Sequence, residues 1–249
     1  MRSRDIHMIK EAFRKYLVEA IGEERSLVAF AAFDKPASVS VRLNPFKPCP
    51  EPEEARPVSW SSHGRLLGQR PVFTLDPHFH GGAYYVQDSS SMFVGHVFRN
   101  FLKDVELPEG RPVRVLDLCA APGGKSTQLA AALGGTGLIW SNEIVKSRAN
   151  ILLGNFERCG ISQGVVSNSD PESLCTALEG YFDKVLVDAP CSGEGMIRRD
   201  PKALTEWSVE HTVSCATRQL KILESAKKAL KSGGVMVYST CTFSYEENE

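Results

Sequence analysis

The sequence lacks any long hydrophobic run. Its apolar stretches fall well short of the roughly 18 residues that a membrane-spanning helix needs, so no membrane span is predicted. The first residues, Met1 to His7, include no apolar segment of the kind that a secretory signal requires. These two absences predict a soluble protein of the cytoplasm.

Paired cysteines are also missing. The chain has seven cysteines, an odd number, and no two of them form a C-x-x-C pair. His78 and His80 form an H-x-H pair, but no third ligand accompanies them in the sequence. The pattern argues against a disulfide framework and predicts no metal site, whereas reduced thiols fit a cytosolic protein.

The chain has no excess of basic charge. Its 29 Lys and Arg residues nearly balance its 30 Asp and Glu residues, which gives a formal net charge of −1. A protein that binds nucleic acid through its overall field is strongly basic, so any RNA contact must come from a local patch. Arg198 and Arg199 are one candidate pair for contacting phosphate.

The N-terminal part of the chain mixes helix and strand patterns. Residues 5–21 place apolar side chains on one face of a predicted helix, and residues 37–44 alternate as a short strand. Residues 45–57 hold five of the fourteen prolines, which predicts a stiff, extended connector. We interpret residues 1–78 as a small α+β domain.

From Val113 on, strand and helix patterns alternate, which is typical of a parallel, doubly wound sheet. The predicted strands are 113–119, 137–143, 164–170, 184–188 and 235–241, and the predicted helices are 124–133, 146–157 and 205–231. We therefore predict a second domain over residues 79–249, of α/β class with a Rossmann-like sheet. The sequence ends at Glu249, where a further helix is expected, so this domain looks truncated.

The first strand of this sheet leads into a glycine turn, Cys119-Ala120-Ala121-Pro122-Gly123-Gly124-Lys125. Ligands of open α/β sheets bind at the carboxyl ends of the strands, so this turn is the predicted ligand seat. A dinucleotide site would need G-x-G-x-x-G here, and the turn does not match it.

A P-loop nucleotide hydrolase is the second possibility for the turn. Gly124-Lys125-Ser126 resembles the end of that motif, and Asp188 stands where a Mg²⁺-binding acid is found. However, Cys119 occupies the place of the first glycine, and Pro122 removes a backbone N–H that would bind phosphate.

A nucleoside without phosphate fits the turn better. Glu143 ends the second strand 20 residues after Gly123, a spacing that suits a carboxylate accepting both ribose hydroxyls. Asp170 ends the third strand and can accept from an adenine amino group, or it can cap the following helix. Gly123 and Gly124 allow the backbone to approach the ligand closely. S-adenosylmethionine (AdoMet) has a ribose, an adenine and an amino-acid end, so it fits all three of these features.

The fourth and fifth strands lead into cysteines. Asp188 is followed by Cys191, and Ser239 is followed by Cys241. Because the first, fourth and fifth strands of such a sheet are neighbours, both thiols and the acid should meet beside the ligand. A thiolate adding to C6 of a pyrimidine makes C5 nucleophilic toward a methyl donor, and an acid at N3/N4 of the base stabilises the charge. The other cysteines are expected to be inert: Cys49, Cys159, Cys175 and Cys215.

Three motifs together resemble a known family. They are Asp117-Leu-Cys-Ala-Ala-Pro-Gly-Gly-Lys125, Asp188-Ala-Pro-Cys-Ser-Gly193 and Tyr238-Ser-Thr-Cys-Thr-Phe243. In this order they look like the Fmu/Sun family of AdoMet-dependent RNA cytosine-5 methyltransferases. Val41-Arg-Leu-Asn-Pro45 and Tyr85-Val-Gln-Asp-Ser-Ser-Ser91 are similar to upstream signatures of that family. The bacterial branch that acts on small-subunit ribosomal RNA (RsmF-like) is the nearest in pattern.

The resemblance implies a methyltransferase sheet, an RNA substrate contacted in part by residues 1–78, and specific roles. Cys241 would attack C6, Cys191 would assist breakdown of the adduct, and Asp188 would serve the base and the cofactor. Cofactor contacts would fall on Cys119, Ala120, Ala121, Pro122, Gly123, Gly124, Lys125, Glu143, Asp170 and Asp188. DNA cytosine-5 methyltransferases instead place the nucleophile in a Pro-Cys motif on the fourth strand. By that logic Cys191 would be the nucleophile. Because family members continue further, a non-catalytic RNA-binding fragment is the remaining alternative.

Overall fold

A computed structural model gives the fold and describes residues 11–102, 110–200 and 202–249. The helix predicted over residues 5–21 is present from Glu11 to Ile21, and its earlier residues lie outside the described part. Within those ranges, no helix is both long enough and apolar enough to cross a membrane.

The helices of the described residues are α1 Glu11–Ile21, α2 Glu23–Phe33, α3 Pro77–His80, α4 Ser89–Leu102, α5 Gly124–Ala132, α6 Lys146–Cys159, α7 Pro171–Ala177, α8 Lys202–Glu206 and α9 Val209–Ala229. The strands are β1 Val39–Leu43, β2 Arg56–Val58, β3 Ser61–Leu67, β4 Tyr84–Val86, β5 Arg114–Asp117, β6 Leu138–Asn142, β7 Gly164–Ser167, β8 Phe182–Asp188 and β9 Leu230–Ser239. Short 3-10 helices cover Phe73–Leu75 and Glu194–Met196.

The larger sheet is parallel, with strand order β7-β6-β5-β8-β9. This order makes the first, fourth and fifth predicted strands neighbours and confirms the predicted α/β class. In register, Asp117 of β5 pairs with Leu186 of β8, and Asp188 pairs with Ser239 of β9. The acids at the ends of β5 and β8 therefore lie at the same edge of the sheet.

The core of this sheet is apolar and continuous. Val115 and Ile139 on the strands, Leu129 on α5 and Leu152 on α6 are fully buried in one cluster. Burial of a side chain of this size contributes about 1.5–3 kcal/mol to folding. The helices that follow β5 and β6 are thus anchored to the sheet, which fixes the turns that precede them.

The smaller sheet is antiparallel, with strand order β2-β3-β1-β4. β1 lies within the strand predicted at residues 37–44, and it pairs with β3 and β4. Val41, Phe73 and Tyr84 form a small core on this sheet. The register places Arg42 opposite Tyr85, which joins the two upstream signatures of the sequence.

The chain forms two compact units. The sheet unit contains both sheets and comprises Ser38–Asp188 and Leu223–Ser239. The thiol unit comprises Met1–Ala37, Ala189–Ile222 and Thr240–Glu249. Each unit takes more than one stretch of chain. The predicted domains, with their boundary after residue 78, stay a prediction.

The helix predicted over residues 205–231 is interrupted. It divides into α8 and α9, and Trp207 lies between them with 2% of its surface exposed. The Trp207 ring lies 5.1 Å from the Phe13 ring in the core of the thiol unit. Ser208 then caps α9, since its hydroxyl accepts from the His211 N–H at 3.1 Å. Burial of one tryptophan thus overrides helical continuity.

Candidate functional site: a glycine turn and a pair of thiols

The glycine turn of the sheet unit joins β5 to α5. Gly123 has φ +109°, in the left-handed region, and a Cβ there would lie 3.0 Å from Leu152. The turn has little space for side chains, because Ala120 and Ala121 are buried. Glycine at 123 is therefore required both by backbone conformation and by packing.

Two carboxylates lie at this end of the sheet. Asp117 is fully buried, and its Oδ2 accepts from the Ser126 hydroxyl at 2.6 Å. Burial, with a smaller contribution from Asp188, raises the pKa of Asp117 to about 7. Asp188 accepts from Lys125 Nζ and from the Ser239 hydroxyl, both at 2.7 Å. The Asp188 carboxylate is therefore held from two sides, and its side chain keeps 30% of its surface exposed.

Glu143, just beyond β6, is a third buried acid at this edge. It is 3% exposed, and its Oε1 accepts from the Val145 N–H at 2.9 Å. Arg148 forms an ion pair with it at 3.2 Å and also donates to the Ala121 carbonyl at 2.8 Å. Arg148 thus connects the acid after β6 to the glycine turn.

Cys119 lies among these acids and stays a neutral thiol. Burial, together with the charges of Asp117, Glu143 and Asp188, raises its pKa to about 12. Negative charge on these acids disfavours a thiolate at this position, as burial does.

Asp170 is the N-cap of α7. Its Oδ2 accepts from the Ser173 N–H at 3.0 Å and from the Ser173 hydroxyl at 3.2 Å. This is the capping role that the sequence left open for it, and a contact with adenine stays a prediction.

A buried arginine, which the sequence did not single out by itself, supports the turn from the smaller sheet. Arg42 is 6% exposed and donates to Gly124 O and Thr127 Oγ1, both at 2.7 Å, and to Gln87 Oε1 at 2.8 Å. Burial lowers its pKa to about 10, so it remains charged at neutral pH. Tyr85 donates to the Pro122 carbonyl at 3.3 Å. The two upstream signatures therefore hold the start of α5.

The thiol unit brings Cys191 and Cys241 together. Their sulfur atoms are 3.2 Å apart, and the Cys241 N–H donates to Cys191 Sγ at 3.4 Å. Cys241 is exposed, whereas Cys191 is half-buried. The hydrogen bond with Cys241, and then burial, raises the pKa of Cys191 well above its usual range.

The remaining sequence candidates have structural partners. His80 Nε2 lies 2.9 Å from the Thr74 carbonyl, and His78 Nδ1 lies 3.2 Å from Asp76. Among the described residues no group of three metal-ligating side chains is found. Arg198 donates to the Pro36 carbonyl at 2.7 Å, which occupies part of its guanidinium. Of the cysteines expected to be inert, Cys49 is half-buried. The other three are buried: Cys159, Cys175 and Cys215.

The sheet order, the glycine turn and the acids at the strand ends define a Rossmann-like methyltransferase fold. A methyltransferase homologue from Pyrococcus horikoshii is similar, with 29% identity and a TM-score of 0.76 over 94% of this chain and 74% of its own. NSun6 from Pyrococcus horikoshii, solved with SFG, has a TM-score of 0.80 at 21% identity over 96% and 84%. The similarity to NSun6 shows that the two chains share a fold.

The particular family follows from the sequence models. A model described as 16S rRNA methyltransferase RsmB/F matches residues 107–249, and one for the N-terminal domain of 16S rRNA methyltransferase RsmF matches residues 9–89. The chain belongs to the RsmB/F family of 16S rRNA methyltransferases. The predicted family resemblance is therefore confirmed.

Curated relatives agree with this family. Ribosomal RNA small subunit methyltransferase F of Enterobacter sp. (strain 638) is 37% identical over 254 residues, which is 96% of this chain and 51% of the relative. The same protein of Citrobacter koseri is 38% identical over 256 residues, with the same coverage. The chain thus spans about half the length of the curated relatives it matches.

Proposed function

We propose that the chain carries an AdoMet-dependent RNA (cytosine-5)-methyltransferase activity, directed at small-subunit ribosomal RNA in the cytoplasm. Family membership and the names of the curated relatives support the RNA class. The observation that carries the cytosine-C5 assignment is the pair of thiols 3.2 Å apart. Methylation of an amino or hydroxyl group needs no cysteine nucleophile, whereas an unactivated pyrimidine carbon does.

The sheet unit has the chemistry to hold AdoMet. Glu143 suits the ribose hydroxyls, and Gly123 and Gly124 let the backbone approach the amino-acid end. Asp117, Glu143 and Asp188 act on Cys119 as nearby negative charges, and acids in this position suit a sulfonium cation. A protein of the same fold, NSun6, is solved with SFG, an analogue of AdoMet. The proposed cofactor residues are Cys119, Ala120, Ala121, Pro122, Gly123, Gly124, Lys125, Glu143, Asp170 and Asp188.

Cys241 is the proposed nucleophile. It is the exposed member of the pair, so a base can reach its sulfur. Cys191 Sγ lies 3.2 Å from Cys241 Sγ, so its S–H can donate to a thiolate on Cys241.

The reaction divides between these residues. AdoMet supplies an electrophilic methyl carbon. Addition of the Cys241 thiolate at C6 of cytosine would make C5 nucleophilic, and C5 would take the methyl group as the methyl–sulfur bond of AdoMet breaks and leaves the demethylated thioether. Loss of the C5 proton to water would then restore the C5–C6 double bond and expel the Cys241 thiolate. Cys191 assists this last step, because its S–H stabilises the departing sulfur.

Asp188 is proposed to hydrogen-bond the edge of the cytosine at N3/N4. Its carboxylate is oriented by Lys125 and Ser239, which leaves it fixed before the base arrives. A carboxylate fixed in this way can accept a hydrogen bond from the N4 amino group and so orient the ring for attack at C6.

Methyl transfer by the 249-residue chain tests the proposal. Small-subunit ribosomal RNA is incubated with the chain and AdoMet, digested to nucleosides, and analysed for 5-methylcytidine by mass spectrometry. The wild-type chain should form 5-methylcytidine, and Cys241→Ala should form none. Methylation at another atom, or undiminished 5-methylcytidine with Cys241→Ala, would overturn the proposal. RNA binding without any methylation would support the non-catalytic alternative.

Calorimetry separates this proposal from the P-loop alternative. Ser126 is fully buried and donates to Asp117, so its hydroxyl is committed inside the protein rather than presented to Mg²⁺. We expect heat on titration with AdoMet and none with ATP·Mg²⁺. Tight binding of ATP·Mg²⁺ without AdoMet binding would contradict the cofactor assignment.

A further inference from the structure

The two cysteine loops of the thiol unit hold each other through carboxylates. Glu194, three residues after Cys191, accepts the Phe243 N–H from the other loop at 2.8 Å. Glu247, six residues after Cys241, accepts the Ser192 N–H at 3.0 Å. Each loop therefore supplies one carboxylate to a backbone N–H of the other loop.

Both carboxylates are buried and have a second donor. Glu194 is 0% exposed, and its other oxygen accepts from Trp207 Nε1 at 2.8 Å. Glu247 is 3% exposed and also accepts from Gln219 Nε2 at 2.8 Å. Burying a carboxylate is unfavourable unless hydrogen bonds compensate it. Because each carboxylate accepts hydrogen bonds from two donors, each one fixes the loop whose backbone N–H it accepts.

The loops also meet backbone to backbone. The Gly195 N–H donates to the Cys241 carbonyl at 2.7 Å, and a Cβ on Gly195 would lie 2.5 Å from that oxygen. Any other residue at 195 would push the two backbones apart. The Ser192 and Thr242 hydroxyls add a further contact at 2.8 Å. These contacts surround the point where the two sulfur atoms approach.

We propose that Glu194 and Glu247 are positioning residues that set the spacing of the Cys191 and Cys241 thiols. Neither carboxylate acts on substrate; each acts through the backbone of the opposite loop. The catalytic meaning of this spacing rests on the proposed function, since it is there that Cys191 assists Cys241. The spacing itself is a property of the free chain.

The closeness of the thiols can be measured without RNA or AdoMet. In a glutathione buffer, oxidised glutathione converts the two thiols to a Cys191–Cys241 disulfide and is itself reduced to two glutathione thiols. The midpoint of this exchange depends on how well the loops hold the sulfurs together. Differential alkylation and peptide mass spectrometry report this pair separately from the other cysteines.

Glu194→Gln is the decisive variant. The two oxygens of Glu194 accept from different donors, Trp207 and Phe243, whereas an amide offers one oxygen and turns an N–H toward the other donor. We expect the midpoint to shift at least tenfold toward oxidising conditions, equivalent to about 30 mV. Glu206→Gln, an exposed acid of the same unit, is the matched control and should not shift the midpoint.

Glu247→Ala acts through the opposite loop and is the second variant, in case Glu194→Gln does not fold. It should shift the midpoint in the same direction, and circular dichroism confirms that the compared chains are folded. In methyl transfer, both variants should lower kcat and leave KM for AdoMet unchanged. A midpoint within twofold of wild type in a folded Glu194→Gln or Glu247→Ala chain would overturn the proposal. Failure of the proposed function would appear instead as normal methylation by Cys241→Ala.

Discussion

The glycine turn and the cysteine loops achieve fixed geometry in different ways. The turn lies between a buried strand and a helix, so regular secondary structure sets the positions of Asp117 and Gly124. The cysteine loops have only one short 3-10 helix, and buried carboxylates hold them. The strand and helix on either side of the turn position most of the proposed cofactor residues, whereas hydrogen bonds between two irregular loops position the proposed nucleophile.

This difference predicts different sensitivities. A strand and helix buried in a common core tolerate the loss of one contact, because many others remain. A loop held by a few charged groups loses its geometry when one of them changes, because the partner is left unsatisfied. Substitutions in the two regions should therefore separate cofactor binding from methyl transfer.

The largest effect is expected for Cys241→Ser. Methyl transfer should fall more than a thousandfold, which corresponds to about 4 kcal/mol of activation free energy, because the hydroxyl is a far weaker nucleophile at neutral pH. The Kd for AdoMet, measured by calorimetry, should stay within twofold of wild type. Cys49→Ser, a half-buried cysteine of the sheet unit, is the control and should keep its activity. Equal loss in both variants would contradict the division of roles.

A pH-dependent effect is expected for Asp117→Asn. The folded-state pKa of Asp117 is about 7, mainly because of burial, against about 3.9 in an unfolded chain. The folded chain therefore holds this proton more tightly, so its stabilisation is complete below pH 4 and is lost as the pH rises to 7. Between these values the wild type should lose up to about 4 kcal/mol of unfolding free energy relative to Asp117→Asn.

Urea unfolding at a series of pH values measures this difference. Cys49→Ser, which removes no carboxyl group, is the control and should follow the wild-type dependence on pH over this range. Parallel curves for wild type and Asp117→Asn would show that Asp117 ionises normally in the folded chain.

A smaller effect is expected for Arg42→Met. The substitution removes the hydrogen bonds to Gly124 and Thr127, and with them the hold of the smaller sheet on the start of α5. The Kd for AdoMet should rise about 10–100-fold, since each 1.4 kcal/mol is a factor of ten. The midpoint for the Cys191–Cys241 disulfide should not change. Arg70→Met, an exposed arginine of the same unit, should leave both quantities at wild-type values.

The smallest effects are expected for two glycine-to-alanine substitutions, one in a helix of the sheet unit and one in a cysteine loop. Gly154→Ala in α6 meets no atom within 4 Å and should stabilise the chain by about 0.5–1 kcal/mol, because alanine favours helix. Gly195→Ala places its Cβ 2.5 Å from the Cys241 carbonyl and should destabilise it by about 1–2 kcal/mol. Thermal unfolding measures both changes. Stabilisation of the chain by Gly195→Ala as well as by Gly154→Ala would show that the loops adapt freely.

The sheet could be predicted from the sequence because its signals are local and repeated. Apolar runs such as Val115–Leu116 and Val185–Val187 mark strands buried on both faces, and a glycine turn follows the first of them. The strand order and the neighbouring positions of Asp117 and Asp188 then follow from the doubly wound class. The approach of Cys191 to Cys241 was predicted on the same basis, although irregular loops carry both residues.

The supporting residues could not be predicted in this way. Arg42 stands in an alternating strand, where a charged residue is expected to face solvent, yet it is buried against α5. Glu194 and Glu247 stand in polar loops and have the pattern of solvated acids. Trp207 interrupts a helical pattern because its ring packs in a core formed with residues far away in the sequence, such as Phe13. In each case a contact far along the chain decides the outcome, and no local pattern records it.

Trapping of a covalent protein–RNA adduct tests the central claim most directly. The chain is incubated with AdoMet and small-subunit ribosomal RNA and then run on a denaturing gel, on which a covalent adduct migrates above the free chain. If Cys241 attacks the base and Cys191 assists its release, Cys191→Ala should accumulate the adduct and Cys241→Ala should show none. An adduct with Cys241→Ala and none with Cys191→Ala would contradict the assignment of the two thiols.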